Sequence, residues 1–590
     1  MKQRIFNLLI AFVIFITSAF ALTSCSSNGK NWGDNYASND ALMGEVGGGD
    51  LDEIMFGESY NEINENPFYD TTYQADSYFT MDSFTASYSN LRRYINQNQA
   101  LNGNIIKTDE LVNYFQYDIA RPTDGETFAV TSEMSVAPWN EKHHIVTIGV
   151  ATEEAEYVEA QENNIVFLID ASGSMDSANK LPLLKQAFLL LLDKLNPTDR
   201  VSIVTYANGV DVKADGIFAD EKSKLSKIIS SVVASGGTNG SGGIQTAYEL
   251  ARKYFVEDGI NRVFLATDGD FNIGVSDETQ LKELIQTEAS SGVYLSVLGF
   301  GMGNYQDSKV ETLAKYGNGT YAYVDKLDEA KKVLVDDFNK TMITVAKDVK
   351  NKVAFNPEIV SQYRLIGYEN KSISKEDFEN EEVDAGDLGS GHQTLVTYEI
   401  VLKDEYLNEF DELFKLQINY KDPKTLESKT FIFNGTKQAL AEKETEDHEF
   451  VTCIVEFSLI LRNSPYRGTA NYQNLISRLA VLNCIKDNQL KFEFFALVCK
   501  AFEKNLVAHP IYENGNRNGC IVTINTKFGQ LKARYDYNEY VNYTSIMYDL
   551  FGKVPTTKRF NIYIDRECTI EFMGCNVNSN IELYVVEVSE

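Results

Sequence analysis

One set of residues in this sequence has the types and spacing for metal chemistry. Asp170-Ala171-Ser172-Gly173-Ser174-Met175 follows an apolar run and puts one carboxylate and two hydroxyls in a single short loop. Ser235-Gly236-Gly237-Thr238-Asn239-Gly240 precedes a helical pattern, and its glycines let the backbone approach closely while presenting the Thr238 hydroxyl. Thr267-Asp268-Gly269 closes a third apolar run with a second carboxylate. Asp170, Ser172, Ser174, Thr238 and Asp268 are therefore expected to form one oxygen-lined site. Hard oxygen donors with little charge, completed by water, suit Mg2+ best, with Ca2+ or Mn2+ as alternatives. Asp176 and Asp270 flank the site and read as solvated loop carboxylates.

These loops need a frame that brings them to one edge. Over residues 161–345, short apolar runs alternate with helical segments. Strands are expected at 165–169, 201–206, 262–267, 293–300 and 320–324. Helices are expected at 181–195, 243–255, 280–290, 309–316 and 328–342. Continuous apolar strands alternating with helices predict a doubly wound, parallel α/β sheet covered on both faces. Ligands of such sheets bind at the carboxyl ends of the strands, where all three loops fall.

The order D-x-S-x-S, then Thr in a GGT loop, then Asp in a TDG strand end resembles the von Willebrand factor type A domain and its metal-ion-dependent adhesion site. The resemblance implies that Ser172 and Ser174 bind the ion directly and Thr238 directly or through water. Asp170 and Asp268 would hold metal-bound waters and orient the hydroxyls. It also implies an open coordination place for a carboxylate from a protein partner. Neutral hydroxyls on the ion would leave it electrophilic enough to take that anion. The stretches FTASYSNLRRYINQ, ELVNYFQYDIARP, YRLIGYENK and DAGDLGSGH look like the flanks of a bacterial group of such proteins, so the resemblance spans residues 66–504.

The flanks carry other patterns. Period-two alternation marks strands around residues 127–152 and again over 346–445, helices over 446–504, and a Tyr-rich β pattern over the extension 505–590. Residues 66–160 read as helices, then strands. The two β-rich stretches are expected to fold together, with the α/β domain inserted in one loop. With Lys2 and Arg4, an apolar segment and Leu22-Thr23-Ser24-Cys25, residues 1–24 resemble a bacterial lipoprotein signal, and Cys25 is expected to be the lipidated residue of an exported, outer-membrane-anchored protein. Residues 31–82 hold twelve Asp or Glu and no Lys or Arg, and residues 25–65 are expected to be a disordered acidic tether.

Composition narrows the function. A net charge of −31 over 590 residues argues against nucleic-acid binding, which needs basic patches to displace counterions. Five His and no CxxC argue against zinc or thiol redox chemistry. Cys453 and Cys499 lie in apolar helical patterns and read as buried thiols. His143-His144 reads as structural, and Gly299 to Gly303 as a turn. Tyr535, Tyr537, Tyr540 and Tyr543 read as half-buried strand tyrosines. No Walker A, HExxH or GxSxG motif is present, and no His neighbours the oxygen-lined loops in sequence, so catalysis is not expected. The expected function is metal-dependent binding of a protein partner at the cell envelope. The alternative is a structural scaffold that uses the β and helical regions.

Overall fold

The computed structural model describes residues 58–507, apart from 83, 98, 100, 124, 156–161, 258, 270–277, 290, 304, 382, 384, 404–410, 437–443 and 505. Beyond these it describes the strand residues between 519 and 588. The signal segment, Cys25 and the acidic stretch to residue 57 lie outside the described residues, as do Asp270 and the side chains of the extension, including those of Tyr535, Tyr537, Tyr540 and Tyr543.

The α/β unit is built on a six-stranded sheet. Its order is Tyr321–Val324, Tyr294–Phe300, Asn261–Thr267, Asn164–Asp170, Arg200–Tyr206, Val210–Phe218. The central strand Asn164–Asp170 is buried at every position, as an unbroken run of Ile, Val, Phe and Leu requires. Its side chains divide by period two. Ile165, Phe167 and Ile169 join one core with the helix Leu181–Lys194 and the helix Lys222–Ser231. Val166 and Leu168 join the other with the helices Gly240–Lys253 and Asp307–Tyr316. The expectation of a parallel sheet is corrected at one edge, where Val210–Phe218 runs antiparallel to Arg200–Tyr206. That strand and the helix Lys222–Ser231 had no counterpart in the sequence reading. Only Ala214 of the strand and Leu225 and Ile229 of the helix are buried, so neither carries the buried apolar run that marks the inner elements.

A β-sandwich flanks this unit. One sheet runs Tyr69–Asp70, Val360–Ile366, Gln393–Leu402, Asn140–Thr152, Phe128–Ala137. The facing sheet runs Gly386–Gly389, Thr344–Phe355, Glu412–Lys421, Ser428–Thr436, with Asp76–Thr80 also paired to Thr344–Phe355. Both sheets bury one core that includes Val146, Ile148, Val353, Phe355, Tyr398 and Phe414. Asn140–Thr152, before the α/β unit, pairs antiparallel with Gln393–Leu402, after it. The expected insertion of the α/β unit between two parts of one β-rich body is therefore present.

Helices close a further core. Glu446–Leu461, Tyr472–Val481, Asn483–Asp487 and Gln489–Glu503 pack with the N-terminal helices Ala86–Gln97 and Thr108–Val112. Among the described residues no helix is long and apolar enough to cross a membrane. Cys453 is buried as expected, but Cys499 is only half-buried. Both are free thiols, as is Cys484. The described part of the extension forms strands. Gly519–Thr526 pairs antiparallel with Gly529–Asp536 and parallel with Ile581–Val588.

The tether expected through residue 65 is corrected at its end. Ser59 N–H donates to Tyr305 O at 2.9 Å, Glu58 pairs with buried Arg93 at 2.7 Å, and Glu65 accepts from Ser464 Oγ at 2.8 Å. Acidity marks a solvated spacer only where no cation answers it, and here buried arginines do.

His448, near the start of its helix, is held between Ser135 Oγ and Thr147 Oγ1, each 2.8 Å from a ring nitrogen. Burial pushes its imidazole down to about 4 from an ordinary 6.5. The fold therefore prefers neutral His448. That contribution is complete above pH 6.5 and is lost as pH falls toward 4, worth about 3 kcal/mol in all. His448→Asn is expected to flatten the fall in urea midpoint between pH 6.5 and 4, relative to the parent chain measured alongside.

Candidate functional site

Three loops meet at the carboxyl edge of the α/β sheet. Asp170 ends the central strand and is fully buried. Its Oδ1 accepts the Ser172 backbone N–H at 3.0 Å. Its Oδ2 accepts Thr267 Oγ1 at 2.9 Å and Tyr206 OH at 3.2 Å. Both oxygens are thus occupied by the protein, which fixes the carboxylate as an organiser of the loop. Ser172 Oγ and Ser174 Oγ lie 3.0 Å apart, so the two hydroxyls do converge.

Backbone bonds stitch the second loop to the first. Gly173 N–H donates to Gly236 O at 2.9 Å, and Ser235 N–H donates to Ala171 O at 2.8 Å. Gly236 has a positive φ of 79°, and a Cβ there would collide with the Asn208 side chain, so this close approach requires glycine. Thr238 is buried, and Asn239 caps the helix that follows by accepting from Gly242 N–H. Asp268, one residue beyond its strand, is fully buried, and its Oδ2 accepts from the Lys180 ammonium at 2.9 Å. Asp176 is exposed, as a solvated loop residue should be.

The donor chemistry fits a hard divalent cation. Burial, and then repulsion from Asp268, push Asp170 up to about 6. Among the described residues no group of three or more His, Cys, Asp or Glu is placed to hold a metal ion. An ion here would rest on hydroxyls and water, with the two carboxylates behind them. The sequence reading missed Tyr206, Thr267 and Lys180. Sheet register could have supplied the first, because Tyr206 pairs with Asp170 across neighbouring strands.

The fold and these loops define a von Willebrand factor type A domain, and the model of that family matches residues 164–336. Two further models match the flanks: von Willebrand factor at residues 54–147, and the C-terminal region of uncharacterized protein YfbK at residues 340–503. The chain is 35% identical over 442 residues to uncharacterized protein YfbK of Escherichia coli (strain K12), covering 70% of this chain and 76% of that one. It belongs to the YfbK family of type A domain proteins. Uncharacterized protein sll0103 of Synechocystis is 24% identical over 47% of this chain and 66% of its own length. Inter-alpha-trypsin inhibitor heavy chain H4 of Homo sapiens is 26% identical over 35% of this chain and 20% of its own. Among solved structures, a von Willebrand factor type A protein from Catenulispora acidiphila is 16% identical. That match covers 59% of this chain and 82% of the other, with a TM-score of 0.37. Type A domains of this family are adhesion and protein-interaction modules, not catalysts.

Proposed function

We propose that the chain binds a protein partner through a divalent ion, Mg2+ by preference, held at Asp170, Ser172, Ser174, Thr238 and Asp268. Ser172 and Ser174 would ligate the ion directly, Thr238 directly or through water, and the two aspartates through bound water. The remaining coordination place would take an Asp or Glu carboxylate from the partner. The observation that carries this reading is the arrangement around Asp170. Its oxygens accept from Ser172, Thr267 and Tyr206, and the Ser172 and Ser174 hydroxyls converge to 3.0 Å in the loop that it organises. With Cys25 lipidated, the domain would stand at the outer membrane, tethered by the acidic stretch before residue 58.

A second reading rests on a different surface. Val481 and Phe492 are exposed on the helices Tyr472–Val481 and Gln489–Glu503, which suits a scaffold that uses its helical region. One capture experiment separates the two. Full-length chain is crosslinked in envelope extracts with Mg2+ or with EDTA, alongside Val481→Ser/Phe492→Ser. The metal reading expects EDTA to release the partner and the double substitution to keep it. Capture that ignores EDTA and fails in the double substitution sinks the metal reading in favour of the scaffold.

A further inference from the structure

We propose that Lys180 sets the charge of the loaded metal site, and so makes it select an anionic partner. The inference rests on the metal reading above and assigns a role to a residue outside the five oxygen donors. Lys180 precedes the helix Leu181–Lys194, is 4% exposed, and reaches Asp268 Oδ2 at 2.9 Å. Its backbone is fixed at both ends. Its N–H donates to Ser177 O at 2.9 Å and its carbonyl accepts Leu184 N–H at 2.8 Å.

The side chain runs in a channel made for it. Gly301, just past the strand Tyr294–Phe300, has a φ of 86°, and a Cβ there would collide with Lys180 Cε. The glycine-rich turn Gly299 to Gly303 thus leaves room for the lysine stem. Burying an ammonium is costly unless it is paired, and this one is paired to a carboxylate of the site itself.

Charge gives the consequence. Taken together, the buried carboxylates of Asp170 and Asp268 and the Lys180 ammonium carry a single net negative charge. A divalent ion converts that to a single net positive charge. Removing Lys180 makes both the empty and the loaded site one charge more negative. The lysine therefore weakens the site's hold on the cation and strengthens the loaded site's hold on a carboxylate. A residue that merely braced the loops would move both affinities the same way.

The test uses the full chain, Lys180→Met, and Lys180→Gln as a second neutral variant, with melting curves to establish folding. Mn2+ affinity is read by calorimetry. Carboxylate affinity is read from paramagnetic broadening of 13C-labelled acetate by the Mn2+-loaded protein. In at least one folded variant, Mn2+ is expected to bind about tenfold more tightly and acetate about tenfold more weakly. Both affinities falling together, or neither moving, overturns the role given to Lys180 while leaving the metal site standing. A parent chain that binds no Mn2+ overturns the metal reading and this inference with it.

Discussion

Arg92→Met is expected to destabilise the chain by about 3–5 kcal/mol, the usual cost of removing one partner from a buried ion pair. Arg92 lies on the helix Ala86–Gln97 and is 1% exposed. Its guanidinium reaches Asp325, Glu329 at 2.7 Å, Glu493 at 2.8 Å and Tyr114 OH at 3.2 Å. Those acids come from separate parts of the chain. Asp325 and Glu329 close the type A domain, and Glu493 belongs to the helix Gln489–Glu503.

The pairs themselves need not favour folding, because desolvating four charged groups offsets most of their attraction. The large effect comes from what remains when the cation is gone: Asp325 beside the fully buried Glu329, with Glu493 left to Lys326 alone. Arg92→Lys should fall between, since one ammonium cannot reproduce the planar fork that serves several acids. A chain with several cores will not unfold in one step, so the readout is the first urea transition, followed by proteolysis at the end of the type A domain. A midpoint unchanged in Arg92→Met would mean that the apolar packing of the helices alone joins these parts.

Much of this architecture is legible in sequence, for reasons visible in single elements. Asn164–Asp170 and Asn261–Thr267 are buried at every position, and only inner strands of a two-faced sheet carry such runs. The pairing of Asn140–Thr152 with Gln393–Leu402 was foreseeable because both flanks show strand alternation and an inserted domain brings its ends together. The edge strand Val210–Phe218 was not, since an edge has one neighbour and tolerates Asp211, Lys213 and Asp215. Residues 58–65 were misread because acidity describes a segment, whereas docking depends on Arg93 and Arg364 elsewhere. The five candidate donors follow from local motifs. Lys180, Tyr206 and Gly301 reach the site only through the fold, and no spacing within their own segments announces them.

The second large effect falls on the metal. Ser172→Ala removes a hydroxyl read as a direct ligand, while the backbone N–H that holds Asp170 Oδ1 remains. Asp170→Ala removes the group that binds Ser172, Thr267 and Tyr206 together. Loss of an outer partner of a metal ligand typically costs about 10–100-fold in affinity, and loss of a direct ligand at least that. Both variants are therefore expected to bind Mg2+ at least about tenfold more weakly than the parent, with the sheet intact because neither side chain belongs to the two apolar cores packed on it.

The most direct measurement is a calorimetric titration of Mg2+ into the full chain and into Asp170→Ala, with folding of each established by circular dichroism. One site is expected in the parent chain, and binding at least about tenfold weaker in the variant. Equal binding by the two chains, or none by the parent, would contradict the claim that these loops form a metal-dependent docking site.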